Sequence, residues 1–332
     1  MTARSILTVL VAVCVTACPR YRSVEETPLD EPEVPRAAVE LLVERYDRAG
    51  VRSFYTMAPD GSGVLPFPGI PADVRFVAPS PDGTTFALLR PADLGTHLWL
   101  MDRDGGNLRP LLEGSRVVET VAWSPDGEKL VFASSSDEDY ADIWIMNRDG
   151  SGAKQLTFDP PNAAIFDKWP AWSPDGTRIA FSSNRSGTTR LWIMDADGRD
   201  ERQVLPADLH SSELGPLWSP DGTELAFLSN TPEGTGVGLV APDGSGYRAF
   251  VVEQDVGGMT WSALGRVAYT SNDTGDYEVH SLDAVTGEKQ RLTYHTEHDL
   301  FVSTLPHVPP GAWRGLAAPQ RHDAMAASAR RT

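Results

Sequence analysis

A four-residue turn, Ser-Pro-Asp-Gly, recurs in this chain at residues 80–83, 124–127, 173–176 and 219–222, and Trp123, Trp172 and Trp218 precede three of the copies. A worn fifth copy reads Trp261-Ser262-Ala263-Leu264-Gly265. Interleaved with it is an Asp-Gly turn at Asp60-Gly61, Asp104-Gly105, Asp149-Gly150, Asp197-Gly198 and Asp243-Gly244, with Thr286-Gly287 as a degenerate sixth. Successive copies of either turn lie 43 to 49 residues apart. A period of that length signals stacked supersecondary units, none of which can bury its apolar faces alone.

The turn chemistry accounts for the residues used. Pro presets φ at the first central position, Asp bonds forward to the backbone, and Gly accepts the left-handed conformation that closes a hairpin. Between turns lie short apolar or alternating runs, such as Thr120–Trp123, Lys129–Ser134, Asp142–Met146 and Ala153–Phe158, which read as four antiparallel strands per unit. Phe132, Phe181, Phe227 and Tyr269 fall in the second strands, and Trp99, Trp144 and Trp192 in the third. Their place is packing between units, not ligand binding. Six Asp-Gly-type turns face only five Ser-Pro-Asp-Gly-type turns, and the chain enters at Glu40–Tyr46 directly on a second strand. One inner strand is therefore missing at the N-terminal end, and the segment Leu305-Pro306-His307-Val308, sixteen residues beyond Leu292 at Val308, stands where it is needed. The expected fold is all-β: a six-bladed propeller of four-stranded antiparallel blades, residues 38–311, closed by a C-terminal strand so that no sheet edge stays open.

The joint occurrence of Trp-Ser-Pro-Asp-Gly, the segments Ile143-Trp144-Ile145-Met146 and Leu191-Trp192-Ile193-Met194 before an Asp-Gly turn, and the Leu-Thr close at Leu156-Thr157 and Leu292-Thr293 resembles the TolB-type, WD40-like (PD40) propeller repeat over about Glu40 to Gly311. The resemblance implies the propeller fold; for function it implies only a set, since such repeats serve periplasmic binding proteins, the lids of prolyl-oligopeptidase-like peptidases and some lyases. TolB carries an α/β domain before its propeller, and a Pro-rich stretch stands there in this chain, so Tol-Pal trafficking is not carried over. No Gly-x-Ser-x-Gly elbow of a serine hydrolase occurs.

Residues 1–17 read as an export signal, with Arg4 as the positive start and Ile6–Val15 as an apolar stretch too short to span a bilayer. Val15-Thr16-Ala17-Cys18 resembles the lipobox of bacterial lipoproteins, which makes Cys18 the expected lipidated N-terminus. Residues 18–37 are then a Pro- and Glu-rich tether and 312–332 an Ala- and Arg-rich disordered tail. Cys14 leaves with the signal and Cys18 carries lipid, so no disulfide is available to the mature chain. Pro19 after the cysteine points by analogy to the outer membrane. The formal charge is −17, and four Arg against one Asp from residue 311 on make the body more acidic still. Such a surface disfavours nucleic acid and favours basic partners.

In an antiparallel blade both families of turn share one face, and the second-to-third loops and the interblade crossings share the other. Recognition is expected on that second face, where the long unequal loops gather, among them the second-to-third loops Asn184–Thr189 and Asn230–Gly236. Its candidate binding residues are Asp137, Asp139, Asp142, His210, Asp276, His295 and His298. Imidazoles in two crossings also raise an alternative, a metal-dependent carbohydrate lyase or hydrolase; without a ligand motif to support it, neither a metal nor another cofactor is expected. The reading is of a monomeric, lipid-anchored envelope scaffold for a protein or peptide.

Overall fold

The computed structural model describes residues 39–306 apart from 94, 113–116, 136–139, 161–163, 207–211, 232–233, 252–255, 263 and 273–274. The signal, Cys18, the tether and the tail lie outside the described residues, as do Asp137, Asp139 and His210. Six four-stranded antiparallel sheets follow one another as blades. Among the described residues no helix is long and apolar enough to cross a membrane.

Blade 3 shows the pattern: inner strand Val117–Trp123, second Lys129–Ser135, third Asp142–Asn147 and outer Lys154–Gln155. The other inner strands are Phe76–Pro79 in blade 2, Asp167–Trp172 in blade 4, Ser212–Trp218 in blade 5 and Val256–Trp261 in blade 6. Blade 1 is the composite one. Its second strand, Val39–Tyr46, pairs on one side with Arg52–Met57 and on the other with the C-terminal strand His298–Pro306, through Leu41↔Thr304 and Val43↔Val302. That inner strand begins earlier than the sequence suggested. The Asp299 amide donates to the Tyr277 carbonyl of blade 6 (2.8 Å), which fixes the strand's start at the seam. A second difference lies in blade 5: Asn230–Gly236 is not a long loop, because its strands run on to Thr231 and resume at Gly234.

Each Ser-Pro-Asp-Gly turn is wired alike. In blade 4 the Gly176 amide donates to the Ser173 carbonyl (2.9 Å), the Ser173 hydroxyl to Asp175 Oδ1 (2.5 Å), and the Thr177 amide to that same oxygen (3.0 Å). Three donors on one carboxylate, first the Ser173 hydroxyl, then the Thr177 amide and hydroxyl, hold the Asp175 pKa down to about 2. Gly176 has φ +71°, and its four counterparts, including Gly265 of the worn copy, lie between +66° and +72°.

Apolar clusters span neighbouring blades. Leu98, Leu100 and Leu111 of blade 2 pack with Val121, Trp123 and Phe132 of blade 3. Leu41, Val43 and Met57 of blade 1 pack with Ala268, Val279 and Leu292 of blade 6, so the ring closes on the same chemistry that stacks its interior seams. The tryptophan before the turn joins blades polarly as well: Trp123, Trp218 and Trp261 donate Nε1–H to Ala78, Ala171 and Leu217 of the preceding inner strands (3.0, 3.2 and 3.0 Å). In blade 5 the ring of Phe227 occupies the space above Gly238, where a Cβ would come within 2.4 Å of it.

Two outcomes are expected. Deleting residues 298–332 leaves Val39–Tyr46 without its inner partner, so the cooperative thermal transition is lost and the chain associates through the bared edge, as read by calorimetry and light scattering. Gly176→Ala meets no atom closer than Pro125 Cδ at 3.9 Å, and therefore costs only the left-handed backbone penalty, about 1–2 kcal/mol in a urea titration.

Candidate functional site

The inner strands converge on a cavity of about 720 Å³, walled by apolar side chains from blades 2 to 6, among them Phe76, Val121, Trp169, Leu217 and Met259. Leu89, Gly95 and Thr96 also line it, which places it toward the face of the crossings. Its charged wall residues are Arg75 and Glu119, and Glu119 is paired with Lys168 (2.5 Å). A cavity of this size, apolar with few polar points, has the dimensions of a binding pocket.

One wall residue is strained. Trp169 has φ +54°, which a Cβ-bearing residue adopts at a cost of roughly 1–2 kcal/mol, and Pro170 after it disfavours helical ψ further. Trp169-Pro170 forms a bulge opposite Phe181, and Gly215-Pro216 forms the same bulge in blade 5, where Gly215 takes φ +61° without penalty. Phe166 packs edge-on against Trp169, centroids 6.5 Å apart.

The described candidate residues divide into separate clusters. His298 stacks edge-on with Tyr277, accepts from its amide at Nδ1 (3.3 Å), and lies 3.9 Å from Asp276. His295 sits at the seam between blades 6 and 1, its Nε2 3.2 Å from Asp299 and 3.8 Å from Glu278. Asp142 turns inward within blade 3, accepting from Gln155 Nε2 (2.8 Å) and from the Thr157 hydroxyl (3.2 Å).

Glu278, His295 and Asp299 together could offer three ligands to a metal. Their partners argue against one. Asp299, fully buried, accepts from Arg45 Nε (2.9 Å) and from the Tyr55 hydroxyl (2.6 Å). Arg45 also contacts the His295 ring, and Glu278 accepts from Arg291 (2.8 Å) and the His295 amide (2.8 Å) and bonds Thr293. The Arg45 and Arg291 guanidiniums already compensate Asp299 and Glu278. Burial works against a charged His295, but the Asp299 hydrogen bond and charge outweigh it and raise its pKa. Burial likewise opposes the Asp299 anion, and the bonds from His295, Arg45 and Tyr55 hold its pKa below the ordinary value.

Composition and spacing alone pointed at the histidines and missed Arg45, Tyr55, Glu278 and Asp299. A signal was present: Glu278 precedes Thr293, and Asp142 precedes Thr157, by the same fifteen residues. Asp167, Glu213 and Asp299 are the matching buried acids where inner strands start, each donating its amide across a seam, to Ala141, Thr189 and Tyr277. In blade 4 the pair is reversed in character, Arg190 to Glu213 at 2.8 Å.

A pKa raised in the folded state contributes stability that is complete below pH 6.5 and lost as pH rises through the folded value. The urea midpoint is therefore expected to fall between pH 6 and pH 8.5, and His295→Asn to flatten that part of the profile; an unchanged slope would remove His295 from the seam's energetics.

Comparison with known proteins agrees with this architecture. Residues 162–307 match the family described as TolB beta propeller domain (PD40). The Tol-Pal system protein TolB of Anaeromyxobacter dehalogenans is 34% identical over 80 residues, 24% of this chain and 18% of its own length. The uncharacterized peptidase YuxL of Bacillus subtilis is 30% identical over 87 residues, 24% of this chain and 13% of its own. The matches thus span under a fifth of these relatives' lengths. The crystal structure of TolB from Acinetobacter baumannii superposes with a TM-score of 0.68 at 15% identity, over 81% of this chain and 67% of that one. The chain is thus a β-propeller of TolB-like fold, and its residues 162–307 match the TolB beta propeller domain family.

Proposed function

We propose that the chain is a lipid-anchored propeller of the cell envelope, held at the outer membrane through Cys18, that binds a protein or peptide at the crossing face and the mouth of the axial cavity. The observation that carries the reading is Trp169: an aromatic side chain on the cavity wall, kept in a left-handed backbone conformation where the sister blade uses glycine. Strain of this kind persists where it serves a site. The apolar cavity suits an apolar segment, and the acidic body favours basic residues around it. Likeness to TolB, a Tol-Pal component by name, supports the envelope assignment.

The alternative, a metal-dependent lyase or hydrolase, calls for His295 and His298 on one ion. They face different carboxylates, Asp299 and Glu278 for the first and Asp276 for the second, so a binding scaffold is the better reading.

Trp169→Gly restores the residue type of blade 5. It is expected to leave the thermal midpoint unchanged or slightly higher, and to abolish capture of a specific partner from detergent-solubilised envelope. Capture by the variant equal to wild type, or no specific capture by wild type, would overturn the proposal. The anchor is checked separately by mass spectrometry of the N-terminal peptide, which should carry acyl groups on Cys18.

A further inference from the structure

The seams on either side of the ring allow an internal comparison. At the blade 6/1 seam, Thr293 Oγ1 accepts from the Val279 amide (2.8 Å) and bonds Glu278, and His295 follows two residues later. At the blade 3/4 seam, Thr157 Oγ1 accepts from the Ile143 amide (3.0 Å) and bonds Asp142, and Asp159 follows two residues later. Asp299 and Asp167 close the two arrangements with the same amide bond to the neighbouring blade (2.8 and 2.7 Å). The frameworks are equivalent. Where one holds an imidazole, the other holds a third carboxylate.

The consequence is an uncompensated negative charge. Asp142, Asp159 and Asp167 each place an oxygen within 4.8 Å of the others. Arg185 is the cation that reaches Asp167, at Oδ2 (2.5 Å), and it is shared with Glu201. Asp167 is fully buried, and among the described residues its Oδ1 accepts no hydrogen bond, whereas both oxygens of its counterpart Asp299 are engaged by Arg45, Tyr55 and His295. An orphaned carboxylate oxygen at zero exposure is destabilising unless a cation or donor meets it. Burial and the Asp167 charge also raise the Asp159 pKa, as expected of a site short of positive charge.

We propose that Asp142, Asp159 and Asp167 bind a calcium ion that staples blade 3 to blade 4. The donors are all carboxylate oxygens, which selects a hard cation over zinc or copper. Three carboxylates from the protein itself suit calcium, which takes six to eight oxygens in flexible geometry, better than magnesium, which keeps most of its waters and is held by one or two carboxylates. The ion takes the place that the His295 ring takes at the other seam. It also fixes the crossing that leads through Phe166 to Trp169, and so sets the rim of the axial cavity.

The test uses the full mature chain, stripped with a chelator and titrated with CaCl₂ in a calorimeter and by thermal melting. Terbium offers a second probe, since Trp192 packs against Arg185, 5.0 Å from guanidinium carbon to ring centroid, and can sensitise its luminescence. Wild type is expected to show a saturable site and a melting temperature raised by roughly 5 °C at saturation. Asp159→His, which copies the blade 6/1 seam, is expected to bind one calcium fewer and to melt independently of calcium, while a control at an exposed carboxylate of blade 2, Asp93→Asn, behaves as wild type. Absence of a saturable site in wild type, or an undiminished calcium response in Asp159→His, would overturn the assignment. Asp159 is partly exposed and its exchange spares the buried Asp167, so the variant tests binding without removing a core group.

Discussion

The ring depends on one pairing, the antiparallel register of Val39–Tyr46 with His298–Pro306. A four-stranded sheet has two apolar faces and two edges, and a row of such sheets leaves its end blades with a bare face each. Joining the two ends of the chain in one blade removes both liabilities at once. The Arg103 guanidinium of blade 2 adds a polar tie, donating to the Pro306 carbonyl (3.1 Å) and to Gly83 (3.2 Å). With the ring closed, every blade presses on two neighbours, and each second-strand residue such as Phe132, Phe181 or Phe227 is sealed.

Closure also explains why charge gathers at the seams. Inner strands start at the crossing face, where the chain steps between blades and backbone amides cross the gap. A carboxylate there can be fully buried only with a cation beside it. Three seams resolve this differently: Arg190 with Glu213, Arg45 and His295 with Asp299, and Arg185 with Asp167. Among the described residues, the last is the one of the three in which a carboxylate oxygen stays unmet. Variation among otherwise equivalent blades is thus concentrated where the repeat meets itself, and the same is true of the axial wall, where Trp169 replaces the glycine of blade 5.

Much of this was legible beforehand because the turns are local chemistry. A Ser-Pro-Asp-Gly turn needs only its own hydroxyl, carboxylate and glycine to form, so five inner hairpins and the missing sixth could be counted along the chain. The candidate site was less legible. Asp276, His295 and His298 do reach the crossing face, but His295 and His298 serve different partners, and Asp142 points into its own blade. Loop length misled at Asn230–Gly236, where glycines that looked like a loop continue a strand beside Phe227.

The sequence by itself determined the blade count, the strand order and the composite first blade, since these follow from turn chemistry, a 43–49-residue period and the surplus of one turn type over the other. Only the tertiary structure decided which charged groups meet. Arg45 and Asp299 stand 254 positions apart, and Asp159 and His295 occupy one place in the repeat with different chemistry. Electrostatic partnership depends on distance and burial across a seam, and neither is written in the order of residues along one strand.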